Sequence, residues 1–265
     1  MRLPVRLLWF LDRFFPPNQA AYLSAEQQTD HEVRKAAGTM GIYLRELPST
    51  DVRVLDYGCG WGGETLWLAE RVRSVVGVDI DETCINRARA ALQRSAVTNC
   101  SFELATGGRL PFGDGSFDAV LSTDTFEHVM DLEGAFREIA RVLKPGGVFL
   151  SRFGPLFHSP QGYHFYWACQ VPYAHLLFGI EGITELRNAR AATKRDARRW
   201  QDFGLNCRRF DEFKSAALAA GLDVVRFDPL PVRGLHLATR LPVIRDLFIF
   251  GVDCNLRKSS AAAGR

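Results

Sequence analysis

The run Val54-Leu55-Asp56-Tyr57-Gly58-Cys59-Gly60-Trp61-Gly62-Gly63-Glu64-Thr65 constrains this chain more tightly than any other segment. In it an apolar, β-branched stretch stops in a glycine cluster and restarts as a helix. Glycines 58, 60 and 63 carry the G-x-G-x-x-G spacing. That spacing lets the backbone turn tightly, approach a ligand closely, and pack the next helix on the strand it left. Asp79 follows Gly58 by 21 positions, near the end of the apolar run Ser74 to Ile80. An acid about 20 residues past such glycines is placed to accept hydrogen bonds from ribose hydroxyls. Turn and acid together predict a nucleoside site, and they suit several nucleoside cofactors equally.

Around the turn, short apolar runs at 52–57, 74–80, 101–106, 117–123 and 148–153 alternate with helical patterns at 64–71, 82–94 and 132–143. Two more runs, 222–227 and 247–256, follow or flank a short helix at 211–220. Strands that are apolar on both faces and alternate with helices imply a parallel sheet covered on both sides. The expected architecture is α/β: a doubly wound, mostly parallel, seven-stranded Rossmann-like sheet with an α-rich lid inserted between strands 5 and 6. The chain divides into an N-terminal helical segment (1–50), a nucleoside-binding core (51–153), a lid (154–210) and a C-terminal completion of the sheet (211–265). A length of 265 residues with 47% hydrophobic and 24% charged side chains is enough for one full core with an insertion.

Three later stretches select the cofactor. They are Leu110-Pro111-Phe112-Gly113-Asp114-Gly115-Ser116-Phe117-Asp118-Ala119-Val120, then Phe126-Glu127-His128-Val129, then Arg141-Val142-Leu143-Lys144-Pro145-Gly146-Gly147. With the glycine turn and Gly77-Val78-Asp79 they resemble, over residues 52–153, the class I S-adenosylmethionine-dependent methyltransferases, in the small-molecule branch. The resemblance implies S-adenosylmethionine as cofactor. It also implies that Asp56 and the turn residues Gly58, Cys59 and Gly60 hold its methionine end. Asp79 would hold the ribose hydroxyls and Ile80 would pack on adenine. Where the family usually carries an Asp for the adenine amino group this chain has Thr106, followed by Gly107, so a hydroxyl and backbone amides would take that place. Ser122 and Thr123 would face the sulfonium and the incoming acceptor. An NAD-dependent oxidoreductase using the same glycine loop is the competing class, and a catalytically silent cofactor-binding subunit is another; the Leu-Pro-Phe and Leu-Lys-Pro-Gly-Gly elements have no reason to occur in the former.

The acceptor is sought in the lid, which follows the fifth strand on the side where open α/β sheets bind ligands. Its run from His158 to Trp167 is dense in aromatic and imidazole groups. His128, His164 and His175 are the candidate bases, with His158 a further acceptor contact. These histidines favour O-methylation of a small molecule, a glycan or a lipid-linked acceptor over methylation of an amine or carbon, which the sequence leaves open. No carboxylate joins the lid histidines at recognisable spacing, and the six cysteines are scattered without a C-x-x-C pair, so no metal site is expected.

A net charge of +3 is too small to make nucleic acid the default partner. Arg187, Arg190, Lys194 and Arg198 recur at helical spacing and predict a basic helix face, either solvated or turned to an anionic acceptor or membrane. Residues 2–15 are basic and apolar but too short to span a bilayer. They are expected to dock on the body of the protein or on a second subunit, or to lie on a membrane surface. The expected location is cytoplasmic, with peripheral membrane contact as the sharper reading, and the expected state is a monomer or homodimer.

Overall fold

The computed structural model describes residues 3–15, 25–106 and 108–260. Gly107 and both chain ends, including Arg2 of the apolar N-terminal segment, lie outside the described residues. The strands are β1 (Arg53–Tyr57), β2 (Ser74–Asp79), β3 (Cys100–Leu104), β4 (Phe117–Thr123), β5 (Leu143–Phe153), β6 (Leu222–Pro231) and β7 (Ile249–Lys258). The helices are α1 (Leu3–Asp12), α2 (Ala25–Leu44), α3 (Gly63–Ala69), α4 (Glu82–Gln93), α5 (Leu132–Val142), α6 (Ala174–Arg190) and α7 (Phe210–Ala219). One seven-stranded sheet runs in the order β3-β2-β1-β4-β5-β7-β6. Only β7 is reversed, pairing antiparallel with both β5 and β6, so the doubly wound, mostly parallel α/β sheet expected from the alternating pattern is the one observed. The order in which successive strands are added reverses between β1 and β4, which are themselves parallel, and this places the carboxyl ends of β1, β2 and β4 around one crevice, the usual ligand position in such sheets.

The central strands bury both faces because their neighbours are helices on each side. Leu55, Val78 and Val120 join the core under α5 and α7, whereas Val54, Val75, Ala119 and Leu121 join the core under α2 and α3. Helix α5 presents Leu132, Phe136, Ile139 and Ala140 to the sheet at three- and four-residue steps, and Asp131 caps its start by accepting from Gly134 N at 2.9 Å. The Phe126 ring sits at the meeting point of Tyr57, Phe136, Phe149 and Phe153, with centroids 4.9 to 5.8 Å away. Each such ring pair adds roughly 0.5–1.5 kcal/mol beyond its burial, so Phe126 anchors the segment that follows β4.

Two elements differ from the sequence expectation. Strand β5 begins at Leu143 rather than at 148, because Gly146 takes a φ of 77° and lets the pairing jump from Phe117 with Leu143 to Ala119 with Val148. The expected basic helix face is not built. Helix α6 stops at Arg190; Arg187 is buried and donates to Asn188 Oδ1 and Thr193 O, and Arg190 turns inward to the carboxylate of Asp12. Lys194, Arg195 and Arg198 lie on irregular backbone beyond the helix end.

That inward turn is how α1 is held. Helix α1 packs on α6 with Leu8 fully buried and Asp12 only 4% exposed, paired with Arg190. Its other side leaves Leu7 and Phe10 at 50% and 52% exposure, and Phe14, in the turn after the helix, is 66% exposed. Among the described residues no helix is long and apolar enough to cross a membrane.

Candidate cofactor and acceptor site

The glycine turn is shaped by hydrogen bonds to β2. Gly58 N and Cys59 N both donate to Val78 O, at 2.8 and 2.9 Å. Gly60 N donates to Asp79 Oδ2 and Asp81 N to Asp79 Oδ1, each at 2.9 Å. The Asp79 carboxylate is thereby oriented by two backbone amides. Gly58 has a φ of 80°, in the region that disfavours a side chain, and a Cβ there would lie 2.3 to 2.9 Å from atoms of Thr125. Helix α2 crosses the turn from outside: Gly63 N donates to Glu32 Oε2 at 3.0 Å, and the Lys35 ammonium pairs with Asp124 at 2.7 Å.

Two cavities open on either side of this turn and share Gly58, Gly60 and Asp124 as walls. The larger, about 470 Å³, is bounded by Tyr57, Asp79, Ile80, Leu110, His128 and Asp131. Such a volume lies within the roughly 300–1,000 Å³ of small-ligand clefts. The smaller, about 260 Å³, is bounded by Glu32, Lys35, Cys59, Glu64 and Thr123. Burial raises the Glu64 carboxyl above its usual range.

The candidate cofactor residues divide accordingly. Gly58 and Gly60 bound both cavities, Asp79 and Ile80 the larger, Cys59 and Thr123 the smaller. Asp56 is a correction: it lines neither cavity, is 1% exposed, and accepts from the Thr65 hydroxyl at 2.6 Å, tying β1 to α3. Burial is the main cause that pushes its carboxyl up to about 8. Side chains alternate along a strand, so Asp56 points away from the face on which Tyr57 reaches the larger cavity. Ser122 is likewise fully buried, its hydroxyl donating to Tyr57 O at 2.8 Å, and it faces neither cavity. Thr106 is exposed and lines neither cavity, and Gly107 lies outside the described residues.

The histidines divide too. His128 lines the larger cavity, and its Nδ1 meets Gly204 O at 2.8 Å. His164 stands against it, ring centroids 4.8 Å apart, with Nε2 at 2.9 Å from Pro155 O; burial first, then the neighbouring His128, pulls its imidazole down to about 4. His175 is a correction. It is 2% exposed between Phe157, Tyr163 and Trp200, faces neither cavity, and is held near 4 chiefly by burial. His158 is half-buried, lines neither cavity, and is lowered mainly by burial.

Several residues in the site were not singled out in the sequence. Arg141 spans from Glu138 to the carbonyls of Leu110 and Phe112, at 3.1 and 2.7 Å, while Glu138 accepts from Leu110 N at 2.7 Å. That network holds the Leu-Pro-Phe loop as one wall of the larger cavity. Asn206 clasps the Glu-His turn from the lid, donating to Phe126 O at 2.7 Å and Val129 O at 3.0 Å.

The methyltransferase domain family matches residues 55–151. The uncharacterized methyltransferase YcgJ of Bacillus subtilis is 34% identical over 128 residues, which is 48% of this chain and 51% of that protein. A sterol 24-C-methyltransferase of Aspergillus fumigatus is 40% identical over 100 residues, covering 37% of this chain and 26% of the enzyme. The chain thus spans about half the length of the first of these relatives and about a quarter of the second. In fold it is similar to an S-adenosylmethionine-dependent methyltransferase from Mesorhizobium loti, with a TM-score of 0.55 at 20% identity, covering 85% of this chain and 100% of that one. The core built on the glycine turn matches the methyltransferase domain over residues 55–151 and shares the fold of an S-adenosylmethionine-dependent methyltransferase. Its residues fit that cofactor: the cradle at Gly58 admits no side chain, an oriented carboxylate lines the larger cavity, and Lys35, Glu32 and Glu64 offer both signs of charge at the smaller.

Proposed function

We propose that this chain binds S-adenosylmethionine across the two joined cavities and methylates a hydroxyl of a small-molecule, glycan or lipid-linked acceptor. The observation that carries the reading is the Asp79 carboxylate, fixed by Gly60 and Asp81 at the edge of the larger cavity and turned to the place where ribose hydroxyls would donate. Backbone at Gly58 and Gly60 would floor the junction, Lys35 and Glu32 would meet the carboxylate and ammonium of the methionine end, and Ile80, 81% exposed, would cover adenine. The cofactor supplies a methyl group on a sulfonium, and transfer from it is an in-line displacement that depends on alignment.

A hydroxyl acceptor is favoured by His128. A carbonyl can only accept, so the nitrogen facing Gly204 O carries the hydrogen and Nε2 keeps its lone pair. Nε2 would take the hydroxyl proton as the oxygen attacks. The sterol relative, by its name, acts at carbon, so the family resemblance alone does not select the acceptor atom. Incubation with methyl-labelled S-adenosylmethionine and an extract of the source cells, followed by mass spectrometry, tests this. Label in a methyl ether supports the reading, and label at nitrogen or carbon replaces it.

The exposed Leu7 and Phe10 on α1 and Phe14 just beyond it, flanked by Arg6 and Arg13, support peripheral contact with an anionic membrane. Cosedimentation with anionic vesicles, lost in a Phe10→Ser/Phe14→Ser variant, is the expected result.

A further inference from the structure

Three groups from two stretches of chain converge beside the larger cavity at the point where His128 lines it. One donor atom from each of Glu127, His128 and His164 lies within 4.8 Å of the others. Glu127 is 3% exposed; its Oε1 accepts from Gly154 N at 3.2 Å, and its Oε2 is buried without a hydrogen-bond partner. A carboxylate oxygen left unmatched in the interior costs roughly 1–3 kcal/mol or more, so a cationic or donating occupant is called for.

The histidines are arranged to receive one. Gly204 O and Pro155 O can only accept, which places the hydrogens on Nδ1 of His128 and Nε2 of His164. The opposite nitrogens, Nε2 and Nδ1, keep their lone pairs. Metal-binding imidazoles are held in this way, the second ring nitrogen donating to a backbone carbonyl that fixes tautomer and orientation. All three side chains are also set from behind by the fold: Phe126 anchors the turn bearing Glu127 and His128, and the bend at Gly154 and Pro155 holds both Glu127 and His164.

We infer that Glu127 through Oε2, His128 through Nε2 and His164 through Nδ1 bind one divalent transition cation of the zinc type, whose open coordination positions face the acceptor cavity. Two imidazoles and a carboxylate suit such borderline cations, whereas magnesium and calcium favour all-oxygen sets. Ligand bonds of about 2.1 Å in tetrahedral geometry put donors about 3.4 Å apart, so binding draws the three donor atoms together by up to about 1.4 Å. Cation binding stands independently of methyl transfer. Its consequence rests on the proposed function: an acceptor hydroxyl bound at the open position would lose its proton more readily, and the cation would take over the activating role given above to His128 alone.

The test is titration of the chelator-treated, full-length protein with cobalt(II) chloride, followed by visible absorption, and with zinc(II) chloride by calorimetry. One equivalent should bind. His164→Ala and Glu127→Gln, checked for folding by circular dichroism, should each weaken binding by about 100-fold or more, above the 10–100-fold typical of losing an outer-shell partner. Asp79→Ala should lose S-adenosylmethionine binding and keep the cobalt spectrum, which separates failure of the cofactor reading from failure of this one. Absence of saturable binding, equal binding in both variants, or a cobalt–thiolate charge-transfer band placing the metal on a cysteine would overturn the inference. Should a variant not fold, the wild-type cobalt spectrum alone decides, because thiolate and imidazole–carboxylate sites absorb differently.

Discussion

The glycine turn bounds both cavities, the lid touches the larger one from behind, through His128 and the Glu-His turn, and the two regions are held in place by opposite means. At the turn, position is set by backbone: Gly58, Cys59 and Gly60 donate to Val78 and Asp79, and Gly58 leaves no room for a Cβ. In the lid, position is set by side chains: Phe157, His175 and Trp200 pack edge to face, and Asn206 and His128 stitch lid to core through carbonyls. A site part built from backbone tolerates little change at a few positions. A part built from rings spreads its stability over many.

Replacing Asp79 with Ala attacks the turn at the carboxylate that Gly60 holds. Hydrogen bonds to a charged group are worth about 1.5–3 kcal/mol, so S-adenosylmethionine affinity should fall by about 100-fold in calorimetry, and an unchanged affinity would remove Asp79 from the pocket. Gly58→Ala comes next: a φ of 80° and the clash with Thr125 should cost about 1–3 kcal/mol and lower the melting temperature by several degrees.

Acid and base should separate the two regions further. His175 in the lid falls from its usual 6.5 to about 4 on folding, so the unfolded chain binds the extra proton between those values. Its contribution to stability is full above pH 6.5 and is lost as pH falls toward 4. Asp56 in the core has the opposite sign: raised from 3.8 to about 8, it stabilises most below pH 3.8 and loses that contribution as pH rises through 8. Denaturant midpoints across pH 4 to 8 should therefore flatten on the acid side in His175→Leu and on the alkaline side in Asp56→Asn; a reversal of either trend contradicts these environments. The smallest effect is expected at Arg198, whose side chain is 84% exposed and pairs with an equally exposed Asp196. Arg198→Ala should change stability by less than about 0.5 kcal/mol and leave cofactor affinity unchanged.

The same contrast explains what could be read from the chain beforehand. Strand and helix alternation and the Gly58, Gly60, Asp79 spacing are local features, and the sheet, its turn and the nucleoside side of the cavity follow from them. Asp56 was assigned by position in a motif, although strand alternation already set it opposite Tyr57. The lid was opaque because its contacts are tertiary. Nothing in the spacing of Glu127, His128 and His164 shows that the bend at Gly154 carries the last against the first two. Arg187 and Arg190 fall on a helical period in sequence, yet Asp12, 178 positions from Arg190, draws that arginine inward.

Calorimetric titration of the wild-type protein with S-adenosylmethionine and, separately, with NADH tests the central claim most directly. Saturable binding of S-adenosylmethionine at about one equivalent, with no heat from NADH, is the predicted result. Binding of NADH in its place would contradict the assignment of the two joined cavities.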